Sequence, residues 1–221
     1  MTSIAISRVH FPVTTLGPGR RLGLWMQGCS IRCHGCISAD TWAAGRGVVA
    51  LEELLQQIAP WLDQAEGITI SGGEPFDQPD ALAALLIELR ARSGDADILV
   101  YSGHPFVKIA DHVERMAGQI DALITDPYLV DAPQTLALRG SDNQRLHCLT
   151  QLGEARFGSM RDVLAGQPAL DVMFDDDGSI WLAGIPRRED WARLQHRLAG
   201  LSAKLTTTMD TSHRAGRSVE T

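Results

Sequence analysis

The chain has 221 residues, of which 44% are hydrophobic, and a net charge of −7. That size suits one domain, or one domain with a small appendage. The acidic balance argues against a general nucleic-acid role, because basic residues gather only at Arg187-Arg188 and thinly along the tail.

No apolar run reaches the roughly 18 residues that a membrane span needs. The opening string MTSIAISRVHFPVTT lacks the charged-then-apolar pattern of a secretory signal. A reducing cytoplasm is the expected setting, and with it reduced cysteines.

Residues 4–11, with Ile4, Ile6, Val9 and Phe11, read as a short strand, and Gly17-Pro18-Gly19 marks a turn. RLGLWMQ at 21–27 reads as a second strand, leading into a cysteine-bearing loop. Leu51, Leu54, Leu55, Ile58 and Leu62 form a helical stripe. GITIS at 67–71 is a buried strand that ends in Gly72-Gly73. A second helix carries Leu82, Leu85, Leu86 and Leu89 and starts near Asp77 or Pro79. DILVY at 97–101 is a strand ending in Ser102-Gly103, and Phe106, Ile109, Ala110 and Val113 make a third helix. DALIT at 121–125 is a strand ending at Asp126-Pro127, and 143–149 reads as a further strand.

Alternating strands and helices predict an α/β fold with a parallel sheet and right-handed crossovers. Ligands bind such sheets at the C-terminal ends of the strands. The cysteine loop, Gly72-Gly73-Glu74, Ser102 and Asp126 all fall there, so one pocket can collect them. Beyond 150 the pattern changes. Residues 151–168 are mixed and glycine-bearing. Leu170–Phe174 and Ile180–Ala183 then read as a hairpin around the acidic turn Asp175–Gly178, followed by a helix with Trp191, Leu194, Leu198 and Leu201 on one face. The acidic turn lacks the twelve-residue pattern of a calcium loop and reads as a solvated turn. The Thr/Ser/Arg-rich residues 206–221 read as a disordered tail.

The chemistry is concentrated in GCSIRCHGC, where Cys29, Cys33 and Cys36 stand in Cys-x3-Cys-x2-Cys spacing. The polar, glycine-bearing surroundings exclude simple core packing, and the cellular setting argues against disulfides. Two metal readings remain open on the residues alone. One is a zinc knuckle with His34 as fourth ligand; the other is an iron–sulfur cluster held by one thiolate fewer than a closed site uses. An incompletely held cubane has an iron free to bind substrate. Cys148 reads as a buried strand residue rather than a fourth ligand. The seven histidines show no ligand spacing, and only His104 sits near the pocket edge. The second signal is Ser71-Gly72-Gly73-Glu74-Pro75, in which two glycines after a strand permit close approach to the backbone.

Taken together, the cysteine trio and Gly72-Gly73-Glu74-Pro75 resemble the radical S-adenosylmethionine (SAM) superfamily. The closest likeness is to the small activating enzymes, in particular those of anaerobic ribonucleotide reductase. The resemblance covers about residues 20–150 and extends to WMQGCSIRCHGC, Asp40-Thr41-Trp42, TISGGEP, VYSGHPF and ALRGSDNQR. It implies a partial (β/α)6 TIM-like barrel at 1–150, with a C-terminal hairpin–helix appendage at 151–205. It implies a [4Fe-4S] cluster on Cys29, Cys33 and Cys36 whose open iron chelates SAM. One electron from the cluster then cleaves SAM to a 5′-deoxyadenosyl radical that abstracts hydrogen.

The resemblance further places Gly72, Gly73 and Glu74 at the methionine amino end of SAM. Ser102 falls at its carboxylate or ribose, with Asn143 and Arg145 approaching it and Asp126 facing SAM or a cation. The superfamily often has an aromatic residue before the third cysteine. Gly35 stands there, so adenine packing falls to neighbours such as Ile37. The implied activity is an oxidoreductase acting on a glycine of a partner protein, a glycyl-radical enzyme, with flavodoxin or ferredoxin as electron donor. A radical SAM enzyme modifying a peptide or small molecule is the alternative, and a non-catalytic zinc or iron–sulfur module is a second. An iron-free SAM methyltransferase is disfavoured by the lack of a G-x-G-x-x-G loop.

Overall fold

A computed structural model describes residues 2–166, 169–174 and 180–199. The acidic turn at 175–178, Leu201 and the 206–221 tail lie outside the described residues. In chain order the elements are β1 (Ser3–Val13), β2 (Arg21–Met26), β3 (Val48–Ala50), α1 (Leu51–Leu62), β4 (Gly67–Gly72), α2 (Pro79–Arg92), β5 (Asp97–Tyr101), α3 (Phe106–Arg115), β6 (Ala122–Thr125), β7 (Arg145–Cys148), α4 (Gln151–Phe157), β8 (Leu170–Phe174), β9 (Ile180–Gly184) and α5 (Arg188–Ala199). Short 3-10 turns lie at Ala39–Trp42, Pro75–Asp77 and Gly158–Met160. No helix among the described residues is long and apolar enough to cross a membrane.

The fold is mixed α/β. A seven-stranded sheet runs β3-β1-β2-β4-β5-β6-β7, and β8 pairs with β9 in a separate hairpin. The central strands β2, β4, β5 and β6 are parallel. β1 runs antiparallel to β2, the edge strand β3 runs antiparallel to β1, and β7 at the other edge runs antiparallel to β6. The central strands read as apolar runs because both faces are covered.

Side chains on a strand alternate between faces. Leu22, Leu24, Met26, Ile68, Ile70, Ile98 and Val100 pack under the leucine stripes of α1 and α2 and under Ile109 and Val113 of α3. On the opposite face Leu99, Ala122 and Ile124 meet Phe157 of α4, while Trp25 meets Met173 and Ala183 of the hairpin. The helices carry their own end signals. Glu52 and Glu53 lie in the first turn of α1; α2 has Pro79 and Asp80 at its start and Arg90 and Arg92 in its last turn.

At the start of the parallel strands, Arg21, Gly67 and Asp97 stand in register. The Arg21 side chain is fully buried, and its Nη2 donates to Asp97 Oδ1 at 2.6 Å. Its Nε donates to Thr69 Oγ1 and its Nη1 to the Pro18 carbonyl. Gly67 is what makes room, since a Cβ there would lie 2.2 Å from Arg21 Nη1. This polar lock ties the strand starts together and leaves their C-terminal ends for chemistry.

Candidate functional site

Those C-terminal ends open into a cavity of about 510 Å³, within the range of small-molecule sites. It lies over the sheet face opposite α1–α3, because Trp25, Ser71 and Tyr101 line it while their strand neighbours point to the helices. The sequence-predicted residues that line it are Cys29, Cys33, Cys36, Gly72, Gly73, Glu74 and Ser102.

The cysteine loop is held at both ends. Gly28 N–H donates to the Thr41 carbonyl at 2.7 Å and Cys29 N–H to that of Trp42 at 3.3 Å. Inside the loop Cys36 N–H donates to the Cys33 carbonyl. Asp77, just beyond Glu74, accepts from Ser30 N–H at 2.6 Å and Ser30 Oγ at 2.8 Å. His104 is buried and close by, its Nε2 3.7 Å from Asp77 Oδ1 and its Nδ1 3.2 Å from Lys108 Nζ.

The two glycines are demanded by the chain itself. Gly72 has φ +94°, and a Cβ there would meet Met26 N at 2.7 Å. A Cβ on Gly73 would lie 2.1 Å from the Gly28 carbonyl oxygen. Gly73 N–H donates to Met26 O and Glu74 N–H to Gly28 O, both at 2.8 Å. The end of β4 is thereby stapled to the root of the cysteine loop, and no side chain fits between them.

Glu74 is buried at 1% exposure. Its carboxylate accepts from Ser102 Oγ at 2.9 Å, Gly103 N–H at 2.8 Å and Phe76 N–H at 3.0 Å. Burial outweighs these bonds and lifts its pKa to about 7. Burial likewise raises the thiols of Cys29 and Cys33, and pushes Cys36 up to about 11. A bound cation reverses that logic, since coordinated thiols lose their protons outright.

Three half-buried free thiols facing one cavity, each within electrostatic range of another, fit the donor set of an iron–sulfur cluster. Among the described residues no three His, Cys, Asp or Glu gather closely enough to hold a single metal ion. His34, the fourth ligand of the zinc alternative, is exposed and does not line the cavity. Cys148 sits in β7, packed against the cluster around Leu99 and Phe157, and does not line it either.

Asp126, Asn143 and Arg145 are not among the lining residues. Asp126 has φ +80°, and its carboxylate pairs with Arg145 Nε at 2.9 Å and Nη2 at 3.2 Å. Asn143 Nδ2 donates to the Pro127 carbonyl at 2.8 Å. The three bind together the two ends of the 126–145 connection, which carries Tyr128, Val130, Gln134 and Gln144 to the cavity. Val130 and Tyr128 stand against Gly35, 3.1 and 3.6 Å from where its Cβ would be. Ile37, 40% exposed, also lines the cavity. The sequence patterns miss Tyr128, Val130, Gln134 and Gln144, and also Arg8, Trp25, Tyr101 and Trp181. An aromatic just past a strand end, as in Asp126-Pro127-Tyr128, is the one signal that could have found any of them.

A family model described as a 4Fe-4S single cluster domain matches residues 15–147. The anaerobic ribonucleoside-triphosphate reductase-activating protein of Enterobacteria phage T4 is 31% identical over 134 residues, covering 59% of this chain and 85% of that protein. Its namesake in Escherichia coli K12 is 30% identical over 149 residues, 63% of this chain and 96% of that protein. The Vibrio cholerae one is 28% identical over 149 residues, covering 64% and 96%. A chain that folds its cysteine trio against a Gly-Gly-Glu strand end, and shares this much sequence with those proteins, belongs to the 4Fe-4S single-cluster family of reductase-activating proteins.

Proposed function

We propose that this chain is the activating enzyme of a glycyl-radical enzyme, an anaerobic ribonucleotide reductase, and takes a hydrogen from a glycine Cα of that partner. The carrying observation is that three thiols, a Gly-Gly-Glu strand end and Ser102 open into one cavity at the end of the parallel strands. When bound, a [4Fe-4S] cluster on Cys29, Cys33 and Cys36 with SAM at its remaining coordination position supplies one-electron cleavage of the sulfonium.

The chain's own residues position and protect that chemistry. Gly72, Gly73, Glu74 and Ser102 are the proposed contacts of SAM. The Glu74 carboxylate is aimed by Ser102 and Gly103, and an ammonium beside it favours its ionised form. Asp77 and the Thr41 carbonyl fix the cysteine loop. Asp126, Asn143 and Arg145 serve by holding the connection that bears Tyr128 over Gly35. The aromatic lining keeps water from the reacting atoms.

The finer architecture belongs to the same proposal. Residues 1–150 form a partial barrel whose concave side is the cavity face, 151–205 are the appendage, and a flavodoxin or ferredoxin in a reducing cytoplasm supplies the electron. Anaerobic reconstitution with SAM and reductant tests it. The wild type and Cys148→Ala are expected to be brown and to release 5′-deoxyadenosine, and Cys33→Ala to do neither. Addition of the reductase is expected to give an organic doublet by electron paramagnetic resonance. Colourless zinc protein, or equal product from Cys33→Ala, would refute the reading.

A further inference from the structure

The far wall of the cavity comes from a part of the chain that the family match does not reach. The match ends at residue 147, whereas β8 and β9 span 170–184. The relatives are covered for 85–96% of their length by only 59–64% of this chain. The hairpin therefore lies outside the stretch that the family model matches.

It is firmly built onto the rest of the fold. The Asp171 carboxylate accepts from Thr14 N–H and Oγ1, both at 2.7 Å, and from Thr15 N–H at 3.1 Å and Oγ1 at 2.8 Å. Thr15 Oγ1 is also within 3.1 Å of the Ala183 carbonyl. Met173 and Ala183 are buried with Val13, Leu16 and Trp25. Residues 180–186 then face the cavity. The Arg8 guanidinium lies 3.6 Å over the Trp181 ring and pairs with Asp40, which follows the cysteine loop. Gln134 Nε2 donates to the Pro186 carbonyl at 3.0 Å. The hairpin is thus tied to β1, to the turn after the cysteines and to the connection after β6.

We propose that the 170–186 hairpin is a specificity wall that narrows the reaction cavity to a slot for an uncharged, extended, glycine-bearing segment of the protein partner, with Trp181 as the residue that meets it. The proposal rests on the activating-enzyme reading and names what the active site accepts. Charge carries the argument. Arg8 is the one cation among the described lining residues, and it is committed to Asp40 and Trp181. Of the lining carboxylates, Asp40 is paired with Arg8, and Glu74 is buried against Ser102 and Gly103. A charged side chain entering past Trp181, Leu182 and Ile185 would lose its hydration and find no counter-ion, whereas glycine and its small neutral neighbours lose little. Space argues the same way, since about 510 Å³ must also hold a nucleoside-sized sulfonium.

The test uses reconstituted holoenzyme, SAM, reductant and the reductase. Trp181→Ala is expected to raise the KM for the reductase about tenfold with a smaller change in kcat, and to raise 5′-deoxyadenosine released per glycyl radical several-fold. Trp181→Phe should restore both, and the resonance signal of the SAM-bound cluster should persist in each variant. In the second arm, a lysine is placed beside the radical-site glycine of the reductase. The wild-type enzyme should reject it, and Trp181→Ala should regain part of the radical yield. Wild-type KM and coupling in Trp181→Ala, or equal use of the lysine-bearing reductase by the wild type, would overturn the wall. Wild-type enzyme that cleaves SAM without ever leaving a radical on unmodified reductase would overturn the activating-enzyme reading instead.

Discussion

Replacing Glu74 by Gln should make the cluster-free protein more stable in alkali and less stable in acid. The Glu74 carboxyl is 1% exposed, and burial lifts its pKa from the ordinary 4.5 to about 7 despite three accepted hydrogen bonds. The folded state therefore keeps a proton between pH 4.5 and 7 that the unfolded chain has released. The folded protein binds more protons in that window, so its stability falls as pH rises through it and the loss is complete above about 7. The displacement from 4.5 to about 7 corresponds to about 3 kcal/mol.

Glutamine carries no charge at any pH. Its oxygen can still accept from Ser102 Oγ and Phe76 N–H, but its NH2 cannot accept from Gly103 N–H, a loss of about 1 kcal/mol. Glu74→Gln should thus be about 1 kcal/mol less stable near pH 4.5 and about 2 kcal/mol more stable at pH 8. Urea unfolding of both proteins at several pH values checks this, because the difference between them cancels the groups they share. A stability difference that stays constant from pH 4.5 to 8 would refute the reasoning.

Two further outcomes follow from the polar contacts at either end of the strands. Asp77→Ala removes both acceptors of Ser30. Reconstituted protein should then lose iron to a chelator several-fold faster than wild type, and unchanged release rates would show that Asp77 does not brace the loop. Asp97→Ala strands the fully buried Arg21 guanidinium and should cost about 3–5 kcal/mol in urea unfolding. Arg21→Met combined with Asp97→Leu should recover most of that loss, and a double variant as unstable as the single one would contradict the ion-pair account.

The parts of the fold legible in the sequence are those whose burial is complete. GITIS and DILVY announce strands because both of their faces are covered, and α2 announces itself by four buried leucines behind Pro79. β3 is three residues long, too short to show a period. α4 is hidden by Gly153, which reads as a helix breaker. In the structure that glycine is required, because a Cβ there would lie 1.9 Å from the Asp121 carbonyl oxygen. The signal that could have found α4 is Thr150, whose Oγ1 caps the helix by accepting from Gly153 N–H. β7 is readable as a strand, but its antiparallel direction is not, since that depends on the connection from 126 to 144 returning without a helix.

The site divides along the same line. The cysteine trio and Gly72-Gly73-Glu74 each lie within a short stretch of chain, so the two patterns together mark them as candidates. Asp126 shows where contiguity fails. It stands at a strand end like Ser102, but at φ +80° the backbone turns and its carboxylate goes to Arg145. A strand-end position fixes where a residue sits, and local backbone conformation then decides whether it faces the cavity. Trp181 is the opposite case. It lies about 150 residues beyond the cysteines, in a hairpin whose alternation predicts only two strands. Its place beside the active site comes from Asp171 gripping Thr14 and Thr15 and from Arg8 stacking on its ring, contacts between segments far apart in sequence. Motifs therefore point to the proposed cofactor ligands, while the wall proposed to select the partner is set by tertiary contacts with no linear signature.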